Sequence, residues 1–310
     1  MTAGRRAGGT PGQSHSGTLA HVETATGQEH GSRDKKGAGM SATEMSPAVV
    51  AGLQLFARYA YPPNRRGFCG PADHVELGEY AQAGVADPGL AELARGFLGP
   101  WPYLTLIAGA ANIADPFDYR VVEAYWVGNE LLERVPTHDF GNRLEEAFKG
   151  KTGAKGWNYL AETIPGDALC HHSYHVFGVY PWAGLLRRGH IDQPMQVLQQ
   201  CRIRWGRVAA VQGTQVLVDT PPLEWTGQRL ALGEPQRETV SRSPHGPLAD
   251  LVAGEWVSMH WDWLCDRLSS RQVGNLRHYT LRQLALTNDQ VAHSGPNMAM
   301  TGDVAQVERR

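Results

Sequence analysis

The sequence predicts an α+β chain: a mostly helical N-terminal domain, then a small β-barrel that ends in a C-terminal helix. Two observations carry this. Apolar residues recur at helical spacing from Pro47 to about residue 200, and at Cys201 the period drops to 2. After Leu268 it returns to 3.6, with Val273, Leu276 and Leu284 on one face. At 310 residues with 42% apolar content the chain is long enough to bury a sizeable core.

The elements follow in order. Residues 1–46 are rich in Gly, Ser, Thr and charge, so they are expected to be a disordered tail; Met40 and Met45 each offer an alternative start. Val49, Val50, Leu53, Phe56 and Ala57 mark a first helix that Pro62-Pro63 should stop. A turn-rich stretch, Asn64 to Pro71, leads to a short helix carrying Leu90, Leu93, Ala94 and Phe97. Asp115-Pro116 suits the start of a longer helix with Val121, Val122, Tyr125, Trp126 and Leu132 on its apolar face. Phe140, Leu144 and Phe148 suggest another, and Val179 to Arg188 one more.

Beyond Cys201, Ile203, Trp205, Val208 and Val211 face Val216 and Val218 across Gln212-Gly213, the pattern of a hairpin. Leu230 and Leu232 mark a further strand, and Trp256, Val257 and Met259 another. Ser269 and Gln272 have capping-box spacing at the start of the last helix. The organisation is thus 1–46 tail, 47–200 helical domain, 201–288 β-module with its helix, and 289–310 flexible tail.

Composition narrows the partners. Net charge is −2 with both signs mixed, which argues against nucleic acid and against an anionic membrane surface. The apolar run Leu104 to Ala111 is about half of a bilayer span, and the N-terminus lacks a secretory pattern, so a cytoplasmic location is expected. Four cysteines without a CxxC pair read as reduced thiols.

Three groups of residues could carry chemistry. Cys170, His171, His172 and His175 lie within six positions; on a helix His171 and His175 would share a face, and His172 would point elsewhere. Cys69, Asp73 and His74 surround a Cys-Gly-Pro turn before a helix start, where a thiol gains reactivity. Cys201 and His260 stand at the two ends of the β-module, and a thiolate with an imidazole is a soft, incomplete coordination set.

The segments Cys201–Val208 and Gly254–His260, the latter followed by Asp266-Arg267-Leu268 and a helix, resemble the HypC/HupF family of [NiFe]-hydrogenase maturation chaperones. That resemblance implies a HypC-like β-barrel and an accessory role, not a catalytic one. Cys201 and His260 would hold an iron carrying cyanide and carbon monoxide, with a HypD-like maturation protein and the hydrogenase large-subunit precursor as partners. The helical part is similar to an uncharacterised actinobacterial family through Phe56–Asn64, Cys69–Pro71 and His175–Trp182. Two rival readings stay open: a metal-dependent enzyme built on Cys69, Asp73, His171 and His175, and a metal-free interaction scaffold.

Overall fold

The computed structural model describes residues 45–146, 168–179 and 182–293. Residues 1–44 of the expected N-terminal tail, Phe148 and everything past residue 293 lie outside them, whereas Ser46, placed in that tail, belongs to the first helix as its cap. Ser46 opens α1 (Pro47–Asn64): its hydroxyl accepts from the Val49 amide and Pro47 fills the first turn. The helix does not stop at Pro62-Pro63 but runs through both to Asn64. Proline removes an N–H four residues ahead of a carbonyl without forbidding the helical φ, so one more turn forms and the Arg65 amide closes it on Tyr61.

Four helices follow: α2 (His74–Ala83), α3 (Pro88–Arg95), α4 (Pro100–Ala111) and α5 (Tyr119–Trp126). Two of these differ from expectation. The apolar run at Leu104 is itself a helix, α4, which ends at Asn112 in a left-handed conformation. The helix expected from Asp115 starts three residues later, because Asp118 and not Asp115 caps it. Leu132 then falls in a separate 3-10 turn, Glu130–Arg134. Residues 137–146 form α6, and α7 (His172–Tyr174) is a single turn that passes into a π-helical segment, His175–Val179. After α8 (Trp182–Arg187), α9 (Asp192–Cys201) delivers the chain to the first strand.

The strands are β1 (Arg204–Gln212), β2 (Gln215–Thr220), β3 (Leu223–Trp225), β4 (Leu230–Leu232), β5 (Gln236–Ser241), β6 (Trp256–His260) and β7 (Trp263–Arg267). Five of them form a ring in the order β1-β2-β5-β7-β6, and β6 returns to β1. The seam is thin: β5 and β7 meet at one parallel pair, Ser241 with Trp263. Leu230 and Leu232, expected within the ring, pair instead with β3 in a separate two-stranded sheet. α10 (Ser270–His293) closes the described chain behind a reciprocal box in which the Ser269 amide donates to Gln272 Oε1 and the Gln272 amide to Ser269 Oγ.

The expectation of a self-contained HypC-like β-barrel is corrected here. Ile203, Trp205, Cys265 and Leu268 belong to the same apolar core as Phe56, Tyr59 and Trp126, so the strands are built onto the helices. Arg58 of α1 reaches the Asp266 carboxylate and the Cys265 carbonyl on β7. Buried Glu123 of α5 accepts from Arg271 and Gln272 of α10. The described helices and strands form one compact unit. A second, smaller core of Val208, Val216, Val218, Val240, Val257 and Met259 fills the ring itself.

Contact between α1 and α5 positions the centre of this unit, stacking Tyr59 on Trp126 at 5.6 Å. It depends on Gly52, where a Cβ would sit 1.8 Å from the Phe117 carbonyl oxygen. Gly52→Ala is therefore expected to cost about 2 kcal/mol or more in urea unfolding; a midpoint equal to that of the parent would refute this packing.

Candidate metal centre

Antiparallel pairing puts Met259 of β6 opposite Arg204 of β1, so the end of β6 lies beside the residues that enter β1. Those are the end of α9 and Cys201, while His260 is the last residue of β6. A backbone bond fastens the two ends: the Trp261 amide donates to the Gln200 carbonyl at 2.8 Å. Trp261 is held at φ 55, unusual for a bulky side chain, and so turns the chain sharply after His260. Phe68 stacks on its indole at 4.4 Å, Arg66 lies over it, and Arg65 and Arg66 both pair with Asp262 next to it.

The third side chain comes from α7. Ligand atoms of His172, Cys201 and His260 lie within 4.8 Å of one another, and among the described residues this is the group of three or more His, Cys, Asp or Glu gathered closely enough to hold an ion. His172 and His260 are buried at 5% and 1% exposure, and Cys201 is half-buried. Trp126 covers both imidazoles, 4.7 Å from His172 and 5.8 Å from His260.

Proton positions follow from the partners. His260 Nδ1 lies 2.7 Å from the Tyr59 carbonyl, which can only accept, so Nδ1 carries the hydrogen and Nε2 a lone pair. That Nε2 is buried and makes no hydrogen bond of acceptable geometry, the Cys201 carbonyl exerting only a weak pull on the ring. On His172 the nitrogen facing Cys201 is Nε2, 2.9 Å from the Cys201 carbonyl, while Nδ1 lies 3.3 Å from the Tyr125 hydroxyl. Burial holds His172 down at about 4, the Cys201 carbonyl offsetting only part of the effect. Burial and then the neighbouring His172 ring hold His260 well below the ordinary value. Both imidazoles are thus neutral at pH 7, the form that binds metal.

The other expected residues lie elsewhere. His171 is the N-cap of α7, not a member of a helical pair: its Nδ1 accepts from the Ser173 amide. His175 begins the π segment, with Nδ1 3.3 Å from the Tyr103 hydroxyl. The expected His171–His175 face is therefore not formed, and His172, expected to point away, faces the cluster. Cys170 is buried with its thiol donating to the Tyr103 carbonyl, and burial pushes its pKa well up. Cys69 is half-buried in a turn whose carbonyls, on Cys69 and Pro71, accept from Asn64. Asp73 and His74 are exposed at the start of α2. Cys69, Asp73, His171 and His175 do not converge as a group within ligand reach.

A pH dependence follows for the metal-free protein. In the unfolded chain a histidine takes up its proton near pH 6.5, whereas folded His172 does so only near 4 and folded His171 near 3. Between those limits the unfolded state binds more protons, so stability present above pH 6.5 is lost as pH falls toward 4. The loss is on the order of 3 kcal/mol for His172 alone. Urea unfolding from pH 7.5 to 4 checks this, and a flat profile would contradict burial of neutral imidazoles.

No helix among the described residues is long and apolar enough to cross a membrane. No curated protein and no solved structure matches the chain. A family model described as a family of unknown function, DUF6390, matches residues 48–294. That span takes in helices and strands alike, and it overturns the HypC/HupF resemblance together with the hydrogenase-maturation chaperone role drawn from it. The two short segments behind that resemblance are the facing ends of β1 and β6, a local register within a different family. The chain belongs to the DUF6390 family.

Proposed function

We propose that this protein is a metalloprotein that holds one late first-row transition ion, zinc in the first instance, on Cys201 Sγ, His172 Nε2 and His260 Nε2. The observation that carries this is the buried His260 Nε2, whose lone pair has no hydrogen-bond partner and whose opposite nitrogen is locked as a donor by Tyr59. An orphaned buried acceptor costs free energy unless a proton or a cation meets it. The backbone carbonyl behind the ring is the usual outer support of a metal-bound histidine. One thiolate and two neutral imidazoles suit zinc or copper and disfavour magnesium or calcium, which take oxygen ligands. The donor set does not single out iron, and nothing at it calls for cyanide or carbon monoxide. Tetrahedral zinc places its donors about 3.3–3.8 Å apart, so a small contraction of the 4.8 Å cluster completes the geometry. Three protein ligands leave one position open.

Isothermal titration of the chelator-stripped protein with Zn²⁺ is expected to give one ion per chain and a raised melting temperature. Cys201→Ser and His260→Gln should weaken binding at least about tenfold while circular dichroism stays unchanged, whereas His175→Gln should bind like the parent. Equal affinity in the parent and Cys201→Ser would sink the assignment.

A further inference from the structure

We propose that the Tyr125 hydroxyl is the positioning group for His172, accepting a hydrogen bond from Nδ1–H when an ion binds so that Nε2 ligates through its lone pair. The inference rests on the metal reading above and concerns how the second imidazole is prepared for it. The two histidines are supported differently. His260 is backed by a peptide carbonyl, which fixes one tautomer permanently. His172 has a carbonyl on the wrong side: the Cys201 oxygen lies 2.9 Å from the very nitrogen that faces the cluster. Since that oxygen can only accept, Nε2 carries the hydrogen in the metal-free protein, and the Tyr125 hydroxyl donates to Nδ1.

Such a histidine cannot ligate through Nε2 until its proton moves. A carbonyl behind Nδ1 would have forbidden the metal-free arrangement, and a second amide would forbid the bound one. A phenol allows both, because its hydroxyl donates in one state and accepts in the other. For Nε2 to offer its lone pair to an ion, the Nε2 proton would leave to solvent and one proton would be taken up from solvent at Nδ1, so the ring stays neutral with no net change in its protons. The hydroxyl rotates to accept, and the only net release of a proton is from the Cys201 thiol. Packing keeps the phenol in place for this. Tyr125 is fully buried on α5, its ring 5.6 Å from His172 and 4.7 Å from Trp126.

The structure supplies a control. Tyr103 and His175 form a second buried phenol–imidazole pair with the same 3.3 Å separation, on a histidine outside the cluster. Zn²⁺ titrations of the parent, Tyr125→Phe and Tyr103→Phe therefore separate positioning from packing, since each variant keeps its ring. Tyr125→Phe is expected to weaken Zn²⁺ about 10–100-fold, and Tyr103→Phe by less than about twofold. Nitrogen-15 NMR of histidine-labelled parent should show His172 changing from the Nε2–H to the Nδ1–H tautomer as Zn²⁺ is added. If the parent binds no Zn²⁺, the metal reading falls and this one with it. If the parent binds but Tyr125→Phe binds equally well, or if His172 keeps its Nε2 hydrogen, the metal reading stands and the role of Tyr125 is overturned.

Discussion

The hydrogen bond from His260 Nδ1 to the Tyr59 carbonyl is the constraint on which the rest of the centre depends. It exists because of Pro63. In an uninterrupted helix the Tyr59 carbonyl would accept from the amide four residues on, but that residue is proline and has no N–H to give. The last turn of α1 therefore presents a buried carbonyl sideways, and β6 meets it with an imidazole. One missing donor in the helix sets the tautomer in the strand, and the tautomer leaves a lone pair facing His172 and Cys201. The proline pair that looks like a stop signal acts as an opening in the helix wall.

Holding the strand end there takes further buried polar work. Arg204, at the start of β1, is almost wholly buried and is anchored by Glu238, by Gln200 and by the Trp261 carbonyl. Arg202 is equally buried but finds only neutral acceptors, Gln199 and the Pro221 carbonyl; burial and then the Arg204 charge push its pKa down to about 9. Buried guanidinium groups are costly unless their geometry is fully used. Arg204 ties the segment after Cys201 to the Trp261 turn and Arg202 ties it to Gln199 and Pro221, so the cost is spent where two of the three candidate ligands sit.

Much of this was legible before any coordinates. The break at Cys201, the β1–β2 hairpin, the β6 strand and the Ser269–Gln272 box all follow from residue period and cap chemistry, which are local. The meeting of Cys201 and His260 was accessible as well, since opposite ends of a small antiparallel sheet come together by register. His172 was not. Local spacing favours His171 with His175, a pairing that holds only if the segment is one continuous α-helix; instead His171 spends its Nδ1 on capping and the chain enters a π segment at His175. The strands β3, β5 and β7 were missed, although Leu230 and Leu232 had marked β4. β3 is only three residues long, and β5 is mostly polar and pairs with β2 across the whole β3–β4 excursion. The β6–β7 turn at Trp261-Asp262 lacks the glycine or asparagine that announces a hairpin.

The same distinction explains why two short segments resembled another family. A cysteine just ahead of β1 and a histidine at the end of β6 will be brought together in any chain with this antiparallel register, whatever surrounds it. The pair records strand geometry, and strand geometry is shared by unrelated proteins. What the pair can do is decided by what completes it. Here the completing imidazole comes from a helical turn about thirty residues before the sheet, its supporting hydroxyl from α5, and the carbonyl behind His260 from α1. Each of these lies in the helical part that the sheet motif does not contain. Without α1, α5 and α7 the pair would lack the third donor, the tautomer lock and the aromatic cover of Trp126. The geometry of this candidate centre is therefore a property of the joined helical and β parts, which the DUF6390 match to residues 48–294 takes in together.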